Sequence, residues 1–310
     1  MASKNSDPAA TVKKRKSLPV SLHYTIMLIP GLVWLILFSI VPMTGIVMAF
    51  QDFKPKLGWF NSPWVGFENF EYLIKMGEVW RIIGNTLTIA IGKIVLNLVV
   101  PLVFAILLNE IKCVKYKKTV QTIVYLPHFI SWVILANIVS NIFGYFGIFN
   151  TIMGAFGMEP KMWLTEPDLF QGFVIGTDVW KEFGYNAVIY LAALTGISPN
   201  LYEAAAIDGA SRAKSIWYIT LPALIPTVVL LATLAMGNVL NAGFDQVFNM
   251  YTPMTYTTGD IIDTYVYRIG ITNMQYSLAT TVGLFKSVVS FTLITVSYLL
   301  AYKFADYTIF

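Results

Sequence analysis

Six apolar runs dominate the chain, at about 26–50, 82–108, 119–143, 171–196, 217–241 and 280–303. Each reaches the roughly 20 residues a helix needs to cross about 30 Å of hydrocarbon. Composition points the same way. Only 12% of the 310 residues are charged, against about 25% in a soluble domain, which leaves too little polar surface to face water on all sides. The expected fold class is an all-α integral membrane protein with six transmembrane helices. Asp178, Lys181 and Glu182 interrupt the fourth run; if that run did not cross, the count would be five and the last two segments would reverse.

Charge placement sets the orientation. With the N-terminus inside, the cytoplasmic segments carry twelve Lys and Arg and the outer loops five, so the positive-inside rule favours six spans with both termini cytoplasmic. Residues 1–25 read as a cytoplasmic basic tail, polar and disordered over 1–17, and 26–310 as the transmembrane domain. The first apolar run is too long for a signal peptide. Long outer loops at roughly 51–81, 144–170 and 242–279 hold many aromatic residues, among them Trp59, Trp64, Phe67, Trp163, Tyr251 and Tyr265. These serve either as interfacial anchors or as a docking surface for an extracytoplasmic partner.

Several chemistries are excluded. Cys113 is the single cysteine, which rules out a disulfide framework and a cysteine-rich zinc site. The two histidines, His23 and His128, are not part of an HExxH, and no phosphate-binding GxxxxGK[ST] loop occurs. The chain has no visible means of hydrolysing ATP, and its modest net charge of +4 does not suggest nucleic-acid binding. No cofactor or metal is expected.

The loop between the fourth and fifth runs, 198–222, is the most informative stretch. Ser198 and Asn200 suit a helix start and Pro199 a first turn. Strong helix formers follow over Leu201–Ile207, Gly209 lets the backbone turn, and Ser211 suits the start of a second helix. Pro222 and Pro226 would kink the span that follows. The expected product is a helix–turn–helix elbow at the cytoplasmic surface, exposing small alanines and Glu203. It is either an interfacial elbow or a segment that inserts into a groove of another protein.

Glu203, Ala204, Ala205, Gly209, Ile219, Leu221 and Pro222 fill every position of a pattern of EAA, three residues, G, nine residues, I, one residue, LP. This segment resembles the EAA motif of ABC importer permeases. Trp64 to Phe70 (WVGFENF), Tyr125 to Trp132 (YLPHFISW), Asp178 to Leu194 (DVWKEFGYNAVIYLAAL) and Tyr276 to Ser287 (YSLATTVGLFKS) are similar, in the same order, to carbohydrate-uptake permeases of the LplB-like group. The resemblance implies a type I importer permease fold with a cytoplasmic coupling helix. It also implies a bacterial cell membrane location and a division of labour. An extracytoplasmic sugar-binding (lipo)protein delivers a sugar or oligosaccharide. A second homologous permease completes the pathway, and two ATP-binding cassette subunits use ATP and Mg. An ion-gradient-driven transporter or channel is the competing reading; it leaves the EAA motif unexplained.

Charges inside apolar runs must face protein or water. Lys93 and Glu182 lie at comparable depths and are expected to pair, either structurally or in gating. Lys286 is expected to snorkel to the outer surface, and His128, beside Pro127, to pack at a kink. Sugar contacts need polar groups and aromatic faces. The candidates are Trp132, Asn137 and Asn141 on the third span and Tyr185 and Asn186 on the fourth. Asn238 and Asn241, three apart, are expected to share a face of the fifth. Each could instead hydrogen-bond between helices.

Overall fold

Apolar runs in a membrane must satisfy their backbone hydrogen bonds internally, and in the computed structural model they do so as helices. Residues 20–305 are described; the basic tail expected over 1–17, with its lysines and arginine, lies outside them, as do the side chains of His23 and Lys303. Among the described residues there is no strand, only an isolated bridge between Gln51 and Trp64. The chain divides into two compact units, Met1–Val47 and Met48–Phe310.

In the first unit, Val20–Leu35 is helical with Pro30 inside, followed by a π turn at Ile36–Ile40 and a short helix at Val41–Met43. The turn bears on Pro42. Proline lacks an N–H and its ring collides with the carbonyl four residues back. A π turn shifts that ladder by one residue just before the ring. The same arrangement recurs in the second unit, where the π turn Ile216–Thr220 precedes Leu221 and Pro222.

Two helices form the spine of the second unit, Glu78–Asn109 and Pro167–Thr195. One core gathers Ile82, Ile89, Phe170, Val174, Val247 and Ile261. A smaller one gathers Ala105, Tyr190, Leu194 and Leu224. Close approach is built in at Gly184, where a Cβ would stand 2.2 Å from the carbonyl oxygen of Val124. The Val114–Tyr125 helix therefore crosses the spine backbone to backbone.

Among the described residues, five helical stretches are long and apolar enough to cross a membrane: Tyr24–Phe50, Glu78–Asn109, Trp132–Ala155, which is interrupted at 144–147, Arg212–Met236 and Tyr276–Val296. The fourth expected span is the continuous 29-residue helix Pro167–Thr195. At 1.5 Å per residue it is roughly 43 Å long, but its charges keep it out of the apolar set. Two expected spans are corrected. The run at 119–143 is divided: a lysine-bearing helix ends at Tyr125, a 3-10 turn holds Pro127, and a new helix starts at Trp132 with Ser131 as its cap. The apolar stretch is thus displaced to Trp132–Ala155. The run at 217–241 stops early, because the helix ends at Met236 and the backbone is unwound until Phe244.

Candidate functional site: the elbow and the polar centre

The elbow starts as a nine-residue helix, Pro199–Ile207. Ser198 stands at its N-cap position, but its side chain makes no capping bond. The C-terminus is closed by two backbone bonds, Ala210 N to Ala205 O at 2.9 Å and Gly209 N to Ala206 O at 3.2 Å. This is the Schellman pairing, which requires a left-handed residue, and Gly209 supplies it at φ +72°. Ser211 then caps the second helix by accepting from Lys214 N. Tyr202 and Thr220 share a 2.9 Å hydroxyl–hydroxyl hydrogen bond that ties the first helix to the base of the fifth span. Glu203 and Ala204 face outward and Ala205 is half-buried. Ile207, Trp217 and Tyr218 are 86%, 66% and 73% exposed. Leu221 packs on the smaller core, Ile219 is half-buried and Pro222 exposed. The elbow is therefore an outward-facing unit that presents the carboxylates of Glu203 and Asp208 and a large apolar face, attached through Leu221 to the fifth span.

A second cluster lies halfway along the spine. The expected Lys93–Glu182 pair is not formed. The Lys93 ammonium lies 3.1 Å from Asp178 instead, and donates to the carbonyl of Ala242 at 2.7 Å and to Gln246 Oε1. Glu182 is one turn further on, where it meets Lys181 at 2.7 Å and His128 Nδ1 at 2.6 Å. His128 does more than fill a kink, since it also stacks on Tyr185 at 3.9 Å. Lys181 donates to the His128 carbonyl and lies over the Trp132 ring. The charges of the fourth helix thus serve two neighbours: Asp178 holds the second helix, while Lys181 and Glu182 hold the turn between the divided halves of the third run.

A cavity of about 320 Å³ opens beside Lys93 and Asp178, bordered by Asn97, Asn186, Asn238 and Asn241. Three of the expected sugar-pathway residues, Asn186, Asn238 and Asn241, border it. Trp132 and Tyr185 belong to the Lys181–His128 cluster. Asn137 donates to the Val133 carbonyl of its own helix, and Asn141 is exposed. Asn238 and Asn241 do not share a helix face; they lie in the unwound stretch, joined by a 3.3 Å amide contact. Asn97, which donates to Asp178 at 2.9 Å, and Gln246, which donates to Val174 O and Thr177, escaped the sequence reading. Asn97 is a polar residue inside an apolar run, which was the available signal, whereas Gln246 sits in a stretch read as an outer loop, where its neighbours in sequence did not mark it. Lys286 is ion-paired with Asp263 at 2.6 Å and bonded to Asn241 at 2.8 Å.

At the loop that follows, Asp260 is fully buried and takes the Arg268 guanidinium and the Thr264 hydroxyl. Burial pushes its carboxyl above the usual carboxylate range, with Thr264 and Arg268 pulling the other way. Arg268 also lies over the rings of Tyr256 and Tyr265. The two rings flank the Arg268 side of its ion pair with Asp260.

A family model described as the binding-protein-dependent transport system inner membrane component matches residues 103–306, a stretch that includes the elbow and the fourth helix. The chain belongs to this family. Protein LplB of Bacillus subtilis is 40% identical over 283 residues, covering 90% of this chain and 88% of its own length. The polygalacturonan/rhamnogalacturonan transport system permease protein YteP of the same organism is 38% identical over 301 residues, covering 95% and 93%. A chain in the crystal structure of a bacterial ABC transporter involved in the import of the acidic polysaccharide alginate superposes with a TM-score of 0.84 at 36% identity. The match covers 92% of this chain and 96% of that one. A second structure, of the alginate transporter in complex with alginate pentasaccharide-bound periplasmic protein, gives 0.83 at 35%. The fold is that of an ABC importer permease, and the chain is a multi-pass transport subunit rather than an enzyme.

Proposed function

We propose that this permease forms, with a second permease, the path for an oligosaccharide delivered by an extracytoplasmic binding protein. Two separate ATPase subunits drive it with ATP and Mg. The carrying observation is the elbow: a closed, Schellman-capped helix pair that presents Glu203 and an apolar face away from its own chain. Such a face is stabilised when another protein covers it, and the Tyr202–Thr220 bond gives a force on it a route into the fifth span. Support for the cargo comes from relatives named for polygalacturonan, rhamnogalacturonan and alginate, and from a cavity bordered by carboxamides. The Lys93 charge beside that cavity is matched by Asp178. In this reading both termini are cytoplasmic and the fourth helix crosses, giving six spans.

The test is reconstitution of the chain in liposomes with its co-encoded permease, ATPase and binding protein. Radiolabelled galacturonan and alginate oligosaccharides serve as probes. Uptake should require both ATP and the binding protein. Uptake by the chain alone, following an ion gradient, would overturn the reading.

A further inference from the structure

The fifth span ends at Met236, and the backbone from Gly237 to Gly243 is unwound before Phe244–Met250 begins. Val239, Leu240 and Ala242 in this stretch are buried. Non-helical backbone at such a place is tolerated only where protein or a water-filled cavity satisfies it. Here turn bonds within the stretch and one lysine from another helix satisfy backbone groups, and a second lysine holds one of its side chains. Lys93, at the middle of Glu78–Asn109, donates to the Ala242 carbonyl at 2.7 Å. Lys286, on the last helix, donates to the Asn241 side chain at 2.8 Å. Each lysine is held by its own carboxylate, Asp178 and Asp263 respectively. Gly243, at φ +94°, leaves space for the first; a Cβ there would lie 2.8 Å from Lys93 Nζ. The outer end of the unwound stretch is therefore fastened to both neighbours. Its inner end continues as the single helix Leu221–Met236, which begins at the elbow.

We propose that Gly237–Gly243 is a hinge whose outer side is anchored by Lys93 and Lys286 as positioning residues. Elbow movement, carried by the Leu221–Met236 helix, shifts Asn238 against the fixed Asn97, Asp178 and Asn186 and so opens or closes the cavity. The proposal rests on the ATP-driven reading above and adds to it where the movement stops. A purely structural Lys93–Asp178 pair makes a different forecast. Deleting only the lysine would then harm by leaving a buried carboxylate unpaired, and neutralising both partners would repair the harm. An anchor on the Ala242 carbonyl is not restored by removing Asp178.

The experiment uses the assembled complex with Cys113→Ser and Asn238→Cys, and reads the rate of thiol modification with and without ATP, so no sugar is needed. The parent should show an ATP-dependent change of about tenfold, and Lys286→Met and Lys93→Met should reduce it to within about twofold. Lys93→Met/Asp178→Asn should stay at that reduced level. An ATP-independent parent rate, recovery in the double variant, or parent-like behaviour in Lys286→Met overturns the hinge. Should the Lys93 variants fail to assemble, Lys286→Met decides alone. Failure of the ATPase to co-purify with the parent would refute the functional reading instead, and is seen before any thiol is measured.

Discussion

Arg268 and Asp260 show what a single residue can hold in this fold. The carboxylate is fully buried, and its salt-bridge partner is Arg268, itself flanked by Tyr256 and Tyr265. Removing one member of a buried pair strands the other, at a cost of about 3–5 kcal/mol. Arg268→Met should therefore lower the thermal aggregation midpoint in detergent sharply, and Arg268→Met/Asp260→Asn should recover more than half of the loss. Additive losses would show that the pair is not a unit. Gly184 sets a steric demand. Gly184→Val places a side chain against the Val124 backbone, and overpacking of this kind costs about 1–3 kcal/mol; the same midpoint should fall. Sequence alone showed that Lys93 needs a carboxylate at its depth. It did not separate Asp178 from Glu182, because the two are one turn, about 6 Å, apart. Depth counted from the edges of an apolar run is uncertain by just such a turn: the helices begin at Glu78 and Pro167, ahead of the runs at 82 and 171.

Elements were legible where local chemistry fixes them. The elbow is the clearest case, since proline, alanines, a glycine and a serine each act within a few residues, and the Schellman turn follows from Gly209. The breaks were not legible in the same way. Hydropathy continues across Ile130–Ser131 and across 237–241, so it marks one run where the backbone makes two elements. In the second case the stop is sustained by Lys93 and Lys286, which are distant in sequence. A prediction follows for the elbow. Glu203→Lys reverses one of its two exposed carboxylates, and Gly209→Val puts a β-branched residue at φ +72°, a strained conformation costing about 1–3 kcal/mol. Neither touches an apolar span, so both variants should insert normally. Both should lose ATPase co-purification or lose the stimulation of hydrolysis by loaded binding protein. Wild-type attachment, hydrolysis and uptake in both would remove the coupling role.

At the scale of the molecule, the topology turns on Pro167–Thr195, which is as long as its neighbours but carries Asp178, Lys181 and Glu182. An unpaired charge near a bilayer centre costs about 2.5–3.5 kcal/mol on insertion scales, so three of them would resist insertion if they stood alone. None does: Asp178 meets Lys93, and Lys181 and Glu182 meet each other with His128 beside them. The partners come from Glu78–Asn109 and from the turn at Leu126–Phe129, so in the six-span topology proposed above the helix would enter lipid as part of a neutralised set. Its two ends should therefore face opposite sides. In a Cys113→Ser background, Lys161→Cys should react with a membrane-impermeant maleimide from outside, and Ala213→Cys only after permeabilisation. Native Cys113, which is exposed, should behave like Ala213→Cys, and Lys56→Cys like Lys161→Cys. Labelling of positions 161 and 213 from the same side would mean that the fourth helix does not cross. The chain would then have five spans, and the elbow could not meet a cytoplasmic ATPase while Lys161 faced outward.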